Sequence, residues 1–406
     1  MSFSSPLGKA GPTVLFGVRV VDLSRVLSGP YCTMILADLG AEVVKVERPD
    51  GGDDARSFGP PFVAGESTYF QSVNRSKQSL TLDLKQQLGK DVLWRLIAGA
   101  DVLVENFRPG TMEEFGFEPE LCLARQPGLI YARLSGFGQL GPERDTPGYD
   151  LIAQGMSGLM ALTGEVDGPP AKAAFSVGDI GAGMWAALGI LAALLERQRS
   201  GQGQVVETTL LGGLVAWQAH LSQAVLSAGA RPGRIGSQHA SIVPYQRFMA
   251  KDRAFNLAVA NDSQWRRLCA DVIGRPAWAT DARFETNPRR VANREVLTGE
   301  LAELFLAEPA GHWVARCQAA QVPAAAILSV DEVLAHPQVE AMGLVWELGR
   351  GESAWRTVGS PLGMSRTPPR AMSVPPRLGE HSDRVLDSLG YTEREIAQLR
   401  EAGVVS

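Results

Sequence analysis

Three observations in the amino-acid sequence predict an α/β fold built on a parallel sheet. Short apolar runs alternate with helix-patterned segments over the first 135 residues. The order run, helix, run repeats three times, which implies strands joined by crossovers and therefore parallel. Loops rich in Gly, Asn and Arg follow the apolar runs, as expected where a sheet binds a ligand at its carboxyl edge.

Residues 14–22 (VLFGVRVVD) read as the first buried strand. Ser28-Gly-Pro30 is a turn, with Pro30 suited to the first helical position. A helix over 31–39 follows, closed by Gly40, and then a strand over 41–47 (AEVVKVE). The second unit is strand 79–84, helix 87–99 and strand 101–105. The third has a helix near 112–115 and a strand at 129–135. This pattern is Rossmann-like, but no Gly-x-Gly-x-x-Gly follows the first strand, so a nicotinamide cofactor is not supported.

The loops at 25–29, 48–56, 106–110 and 136–150 follow strand ends. They supply Arg48, Arg56 and Arg108, and Lys85 lies just past 84. Such cations suit phosphate or carboxylate partners, and they equally suit a solvated surface.

Function turns on Ala174-Phe-Ser-Val-Gly-Asp179-Ile-Gly-Ala-Gly-Met184. The pattern predicts an extended segment over 173–177, a sharp turn carrying Asp179, and an Ala/Leu-rich helix over 184–195. An Asp there can cap the helix through its backbone amides, or serve as an ionised carboxylate that a substrate can reach. Gly181 and Gly183 would let another backbone or a ligand come close. Both readings of Asp179 stand on these residues alone.

Beyond this point 204–209 reads as a strand and 210–228 as a helix. A Gly/Arg/Ser-rich crossing at 230–240 leads into a smaller α+β domain at 241–331, with a strand pair at 245–249 and 255–260. Strand and turn patterns return after 332. Residues 361–376 are Pro-rich and extended. A terminal helix over 391–402 is opened by Thr392-Glu-Arg-Glu395, a capping-box pattern.

Composition bounds the function. At 406 residues the chain allows two or three domains. A net charge of −5 with interspersed signs argues against a general nucleic-acid or anionic-membrane surface. Cys32, Cys122, Cys269 and Cys317 are far apart and suit a reducing compartment. The five histidines show no metal-binding spacing, so no metal is expected. The longest apolar run is shorter than the ~20 residues of a spanning helix, and residues 1–13 lack a signal-peptide core. A cytoplasmic protein is expected.

Several motifs together resemble the class III CoA-transferases, the family of formyl-CoA transferase, carnitine CoA-transferase and the succinate–hydroxymethylglutarate enzyme. They are Val21-Asp-Leu-Ser-Arg-Val-Leu-Ser-Gly-Pro30, Asp38-Leu-Gly-Ala-Glu-Val-Val-Lys-Val-Glu-Arg48, Val104-Glu-Asn-Phe-Arg-Pro-Gly110, Ser135-Gly-Phe-Gly138, Gly178-Asp179, Ser200-Gly-Gln-Gly-Gln204 and Leu378-Gly-Glu-His381. The resemblance runs over nearly the whole chain. It implies a Rossmann-like large domain built from both chain ends (1–215 plus 335–406), a small domain with linkers between them (216–334), and an interlocked homodimer. It implies CoA or acyl-CoA as substrate, with a small carboxylic acid as acceptor, and no metal. It places the catalytic aspartate on Asp179, CoA contacts on Val26, Leu27, Arg48, Leu82, Lys85, Asn106 and Phe107, and an active-site tyrosine on Tyr149. In this chemistry the carboxylate attacks a thioester, and CoA becomes bound to it as an aspartyl-CoA thioester.

The chain departs from formyl-CoA transferase in its small domain. The glycine run there is replaced by Ile235-Gly-Ser-Gln-His-Ala-Ser-Ile-Val-Pro-Tyr-Gln246, a form more like dicarboxylate-handling members, with succinyl-CoA as a candidate donor. His239 in this stretch could hydrogen-bond an acceptor carboxylate or sit in a polar linker. A family arginine that contacts CoA falls on Glu114. Two other functions fit the same residues. An α-methylacyl-CoA racemase would need a histidine at Tyr149, since proton removal and return take two acid/base groups. A non-catalytic CoA-binding protein would use Asp179 only as a cap. A dehydratase or CoA-ligase is disfavoured by the lack of a Cys cluster and of a P-loop.

Overall fold

The computed structural model describes residues 13–349 and 354–406; most of the N-terminal stretch 1–13 lies outside them. The chain forms two compact units. The larger comprises 1–159, 172–230 and 337–406, and the smaller 160–171 and 231–336.

The larger unit is organised on a six-stranded sheet: β1 (Arg19–Asp22), β2 (Glu42–Glu47), β3 (Lys77–Thr81), β4 (Val102–Glu105), β5 (Ile130–Ser135) and β6 (Gln204–Thr209). All five pairings are parallel, and the spatial order is β3-β2-β1-β4-β5-β6. The direction of winding therefore reverses between β1 and β4. In sheets of this order the crevice at that point is where ligands bind.

The strands alternate their buried side chains between two cores. Val21, Leu103 and Tyr131 face one, and Val20, Val102, Val104 and Ile130 face the other. Helix α1 (Ser28–Asp38) joins the second core together with α4 (Val177–Ser200), whereas α2 (Gln87–Ala98) joins the first; α3 (Asp150–Met156) leads into the segment before α4. The C-terminal helices α5 (Ser382–Ser388) and α6 (Glu393–Glu401) also cover the first face, through Val385, Leu386, Ile396 and Leu399. The capping box at Thr392 and Glu395 opens α6 as its sequence requires.

Several boundaries differ from the sequence reading. The first strand is Arg19–Asp22, and 14–17 is turn. The helix expected from 184 begins seven residues earlier and runs through Gly181 and Gly183. A Cβ on Gly183 would lie 2.5 Å from the Ser28 carbonyl oxygen, so that glycine lets α4 and α1 meet backbone to backbone. A Cβ on Gly181 would strike the Trp217 ring at 2.7 Å. Both glycines thus serve helix packing within the unit. At 24 residues, α4 is long and apolar enough to cross a membrane by length and composition, contrary to the sequence reading; half of its apolar window is buried against the rest of the unit. The helix expected over 210–228 is two helices, Leu210–Trp217 and Ala219–Ala228, separated where Ala219 takes φ +32°.

The smaller unit has a three-stranded sheet. Tyr245–Met249 pairs antiparallel with Ala254–Ala258, and Ala324–Ala326 adds to the other edge. Its core gathers Phe248, Phe255, Trp265, Phe284, Phe305 and Trp313.

Candidate active site

A cleft of about 250 Å³ opens at the carboxyl edge of the sheet, at the β1/β4 reversal and over β2 and β3. Arg48, Leu82, Lys85 and Phe107 line it, together with Arg25, Lys45 and Asp53. Four of the seven residues assigned to CoA from sequence thus share one cavity. The other three stand beside it. Asn106 clamps the loop after β1: its Oδ1 accepts the Arg25 N–H at 2.7 Å, and its Nδ2 donates to the Arg25 carbonyl at 2.7 Å. Val26 and Leu27 pack in one apolar cluster with Tyr69 and Ile180, the neighbour of Asp179. The loop therefore links the cleft to Asp179.

Val26 takes φ +67°, an unfavourable conformation for a β-branched residue. Neighbouring groups hold it there. The Val26 N–H donates to Asp53 Oδ1 at 3.0 Å, and Asp53 Oδ2 lies 2.8 Å from Lys45 Nζ. Lys45 Nζ also donates to the Ser24 carbonyl at 2.8 Å. Lys45 and Asp53 are buried. Burial works to raise the Asp53 carboxyl, but Lys45 and the Ala55 and Val26 amides outweigh it and hold it below the usual carboxylate range. Burial likewise works against the Lys45 charge, and Asp53, Asp22 and Glu47 together overcome it, so its pKa is raised.

The cations of this edge divide into two kinds. Arg56 reads from sequence as suited to an anionic partner or to a solvated surface; in the structure its Nε and Nη2 donate to the Glu47 carboxylate at 2.7 and 2.8 Å, and its guanidinium lies 3.7 Å from the Phe70 ring centre. It is committed to scaffold. Arg48 is exposed and bonds Asp54 at 2.6 Å, Arg25 reaches the same Asp54 at 3.4 Å, and Lys85 is exposed. These three are available to an anionic ligand. Arg25 was not singled out from sequence, because its place over the Phe107 ring, 5.1 Å from the centre, follows from the loop clamp.

Asp179 lies in the first turn of α4 and is not its cap. Ser176 holds the N-cap position without a side-chain bond. The amide of Gly178 instead donates to Asp150 Oδ1 at 2.8 Å, so a carboxylate from 28 residues away satisfies the helix start. Asp179 is partly exposed, and its carboxylate has no hydrogen bond or ion pair among the described residues. Burial raises its pKa, and the Asp150 charge raises it further, to about 7. Tyr69 adjoins the same turn, with its phenol near the Ser176 side chain. Burial and the charges of Asp179 and Asp150 raise that phenol to about 12, so it stays protonated. No spacing in the sequence pointed to Tyr69.

Gly136 and Gly148 touch backbone to backbone, which returns the loop after β5 to the sheet and sets Asp150 at the start of α3. Tyr149, just before it, is 70% exposed, and its hydroxyl has no partner among the described residues. His239 belongs to the smaller unit. Its Nδ1 accepts the Ser241 N–H at 3.2 Å, so the neutral ring carries its proton on Nε2. Arg294 Nη2 braces this loop through the His239 and Ala240 carbonyls, both at 2.9 Å. Among the described residues no group of His, Cys, Asp and Glu could hold a metal.

Residues 15–382 match CoA-transferase family III. The chain belongs to this family. It is 41% identical over 387 residues to the succinate–glutarate CoA-transferase of Agrobacterium fabrum, which spans 94% of this chain and 96% of that one. It is 40% identical over 350 residues to the acetyl-CoA:oxalate CoA-transferase of Acetobacter aceti, covering 86% and 89% of the two chains. Among solved structures, a CAIB/BAIF family protein from Brucella suis superposes with a TM-score of 0.85 at 37% identity, covering 93% of this chain and 99% of that one. As a family III CoA-transferase, the protein is an enzyme that moves CoA from an acyl-CoA to a carboxylic acid. Racemase and non-catalytic readings gain no support from these relatives.

Proposed function

We propose that the enzyme exchanges CoA between dicarboxylic acids, with Asp179 as the covalent carrier and succinyl-CoA as donor. The carrying observation is a carboxylate in the first turn of α4 that is partly exposed and has no cation or hydrogen bond among the described residues; burial and the Asp150 charge raise its pKa to about 7. A carboxylate of that basicity is a stronger nucleophile than an ordinary one, and about half of it is ionised at neutral pH. It attacks the thioester carbonyl: a C–O bond forms, the C–S bond breaks, and CoA leaves as thiolate. The thiolate then attacks the aspartyl carbonyl of the mixed anhydride, releasing the donor acid as carboxylate and leaving aspartyl-CoA. The acceptor carboxylate runs the same two steps in reverse, and the Asp179 carboxylate is regenerated.

In this reading the CoA phosphates meet Arg48, Lys85 and Arg25, while the Asn106 clamp, Val26, Leu27, Leu82 and Phe107 shape the cleft. Tyr149 contacts the acceptor acid; His239, within the smaller unit, offers its Nε2–H to a carboxylate. The dicarboxylate choice draws on relatives named for succinate, glutarate and oxalate. The larger unit binds CoA. An interlocked homodimer is supported by exposed apolar residues on α4 (Met184, Trp185, Leu188 and Leu195) and by exposed Trp217 and Leu226. Buried, unpaired thiols at all four cysteines favour a reducing cytoplasm.

Replacing Asp179 with Ala should lower exchange by about 10³-fold or more while CoA still binds. Wild-type enzyme incubated with succinyl-CoA should gain a hydroxylamine-sensitive CoA adduct on the Asp179 peptide, seen by mass spectrometry. Native exchange in the alanine variant would refute the assignment.

A further inference from the structure

We propose that Asp150 and Gln154 are a positioning pair for the carrier, pinning the backbone ahead of Asp179 at two points and holding a second carboxylate beside it. This rests on the reading of Asp179 as carrier.

The pair is buried on α3 and reaches the α4 turn from outside it. Asp150 Oδ1 accepts the Gly178 N–H at 2.8 Å, and its Oδ2 accepts from Gln154 Nε2 at 2.6 Å. Gln154 Oε1 in turn accepts the Ala173 N–H at 2.8 Å. The segment from 173 to 178 is thus tied at both ends by one continuous chain of bonds. Each bond fixes the next: the amide oxygen of Gln154 faces Ala173 only because its nitrogen faces a carboxylate.

Two consequences follow for Asp179. An acid in the first helical turn ordinarily turns back to free amides. Asp150 already occupies the Gly178 amide, so that outlet is taken and Asp179 is left unbonded. The second consequence is electrostatic. Two neighbouring carboxylates repel, and the repulsion disappears when Asp179 becomes a neutral anhydride or thioester. Asp150 therefore makes acylation of the carrier easier without touching the acyl group. The elements packed on α4, with the neighbouring Tyr69, present these other titratable groups: Tyr31, Cys32 and Asp38 on α1, Tyr131 and Arg133 on β5, Glu207 on β6, and Tyr69. Of the charges near Asp179, Asp150 is the one that acts on it.

The test is the pH dependence of kcat/KM for CoA exchange. In wild type the rate should rise with pH through about 7, as Asp179 ionises. Asp150→Asn keeps a cap for Gly178 but removes the charge, so the acid limb should move down by about half a pH unit or more. The new side-chain nitrogen also turns Gln154 round and costs Ala173 its acceptor, so kcat at pH 8 should fall. Gln154→Leu keeps the Asp150 carboxylate and its Gly178 bond, and loses the tie to Ala173 together with the Nε2 donor to Asp150 Oδ2. Its acid limb should stay in place while kcat falls about tenfold with KM held. An unmoved limb in Asp150→Asn, or native kcat in Gln154→Leu, overturns the proposal. Should Asp150→Asn fail to fold, Gln154→Leu still decides it. Exchange by Asp179→Ala would overturn the carrier assignment instead, a separate result.

Discussion

Asp53 and Asp179 are two carboxylates of the same unit in opposite circumstances. Asp53 accepts N–H groups from Val26 and Ala55 and lies against Lys45 Nζ. Asp179 has none of these and faces Asp150. One is held below the ordinary carboxylate range and the other is lifted to about 7. A buried acid with all its partners is fixed in charge and place and can only support. An acid without partners keeps its basicity for a substrate, and the fold must bear the cost of leaving it so.

The largest expected effect separates the two directly. Asp53→Ala strands the buried Lys45 charge and releases the strained Val26, and should cost about 3–5 kcal/mol of stability. Asp179→Ala removes an acid that gains nothing from its surroundings and is repelled by Asp150, so its stability should equal or exceed wild type. Urea denaturation of both variants measures the difference. Equal losses would erase the distinction between scaffold and carrier.

Glu105 sharpens the comparison, because a raised pKa alone does not make a nucleophile. Burial lifts it to about 8, with a Phe107 amide hydrogen bond and the Arg133 charge pulling the other way. It is 6% exposed, against the partly exposed Asp179, so no acyl group reaches it. Its effect is on pH stability. The folded pKa lies above the unfolded one, so the protonated form favours folding. Stability from this group is present below pH 4.5 and is lost as pH rises toward about 8. Glu105→Gln should therefore be more stable than wild type at pH 8.5 and should lose that advantage near pH 4, as read by Tm across pH. Activity should follow Asp179 and not this change.

The sheet was legible because a buried strand must be apolar and a crossover helix must follow it, and β2, β4, β5 and β6 fall within two residues of the pattern. The site was legible only where one residue announces itself. Asp179 did so, but its relation to α4 was read wrongly. Gly181 and Gly183 read in sequence as points of close approach ahead of the helix, whereas the need to pass Ser28 and Trp217 puts them inside it. The cap on that helix comes from Asp150, and a bond spanning 28 residues leaves no local signature. Asp150 closes the 136–150 loop of the sequence reading, whereas in the structure it is the first residue of a helix. Arg48 and Arg56 look alike in the sequence and differ because Glu47, at the end of β2, captures only the second.

That difference between the arginines gives the smallest effect, and one whose sign is informative. Arg48 is half exposed and bound to Asp54, so its removal should cost little stability. Arg48→Ala should raise KM for the CoA thioester about two- to fivefold, with kcat unchanged. Asp54 also holds Arg25, so it competes with a CoA phosphate for both guanidinium groups. Asp54→Ala should then lower KM by a similar factor, and the double variant should lie near Arg48→Ala. Initial rates at fixed ionic strength decide the matter, since exposed pairs weaken with salt. A KM that rises in Asp54→Ala would mean that the ion pair builds the cleft, as Lys45 and Asp53 do, and would move Arg48 from the ligand side of the comparison to the scaffold side.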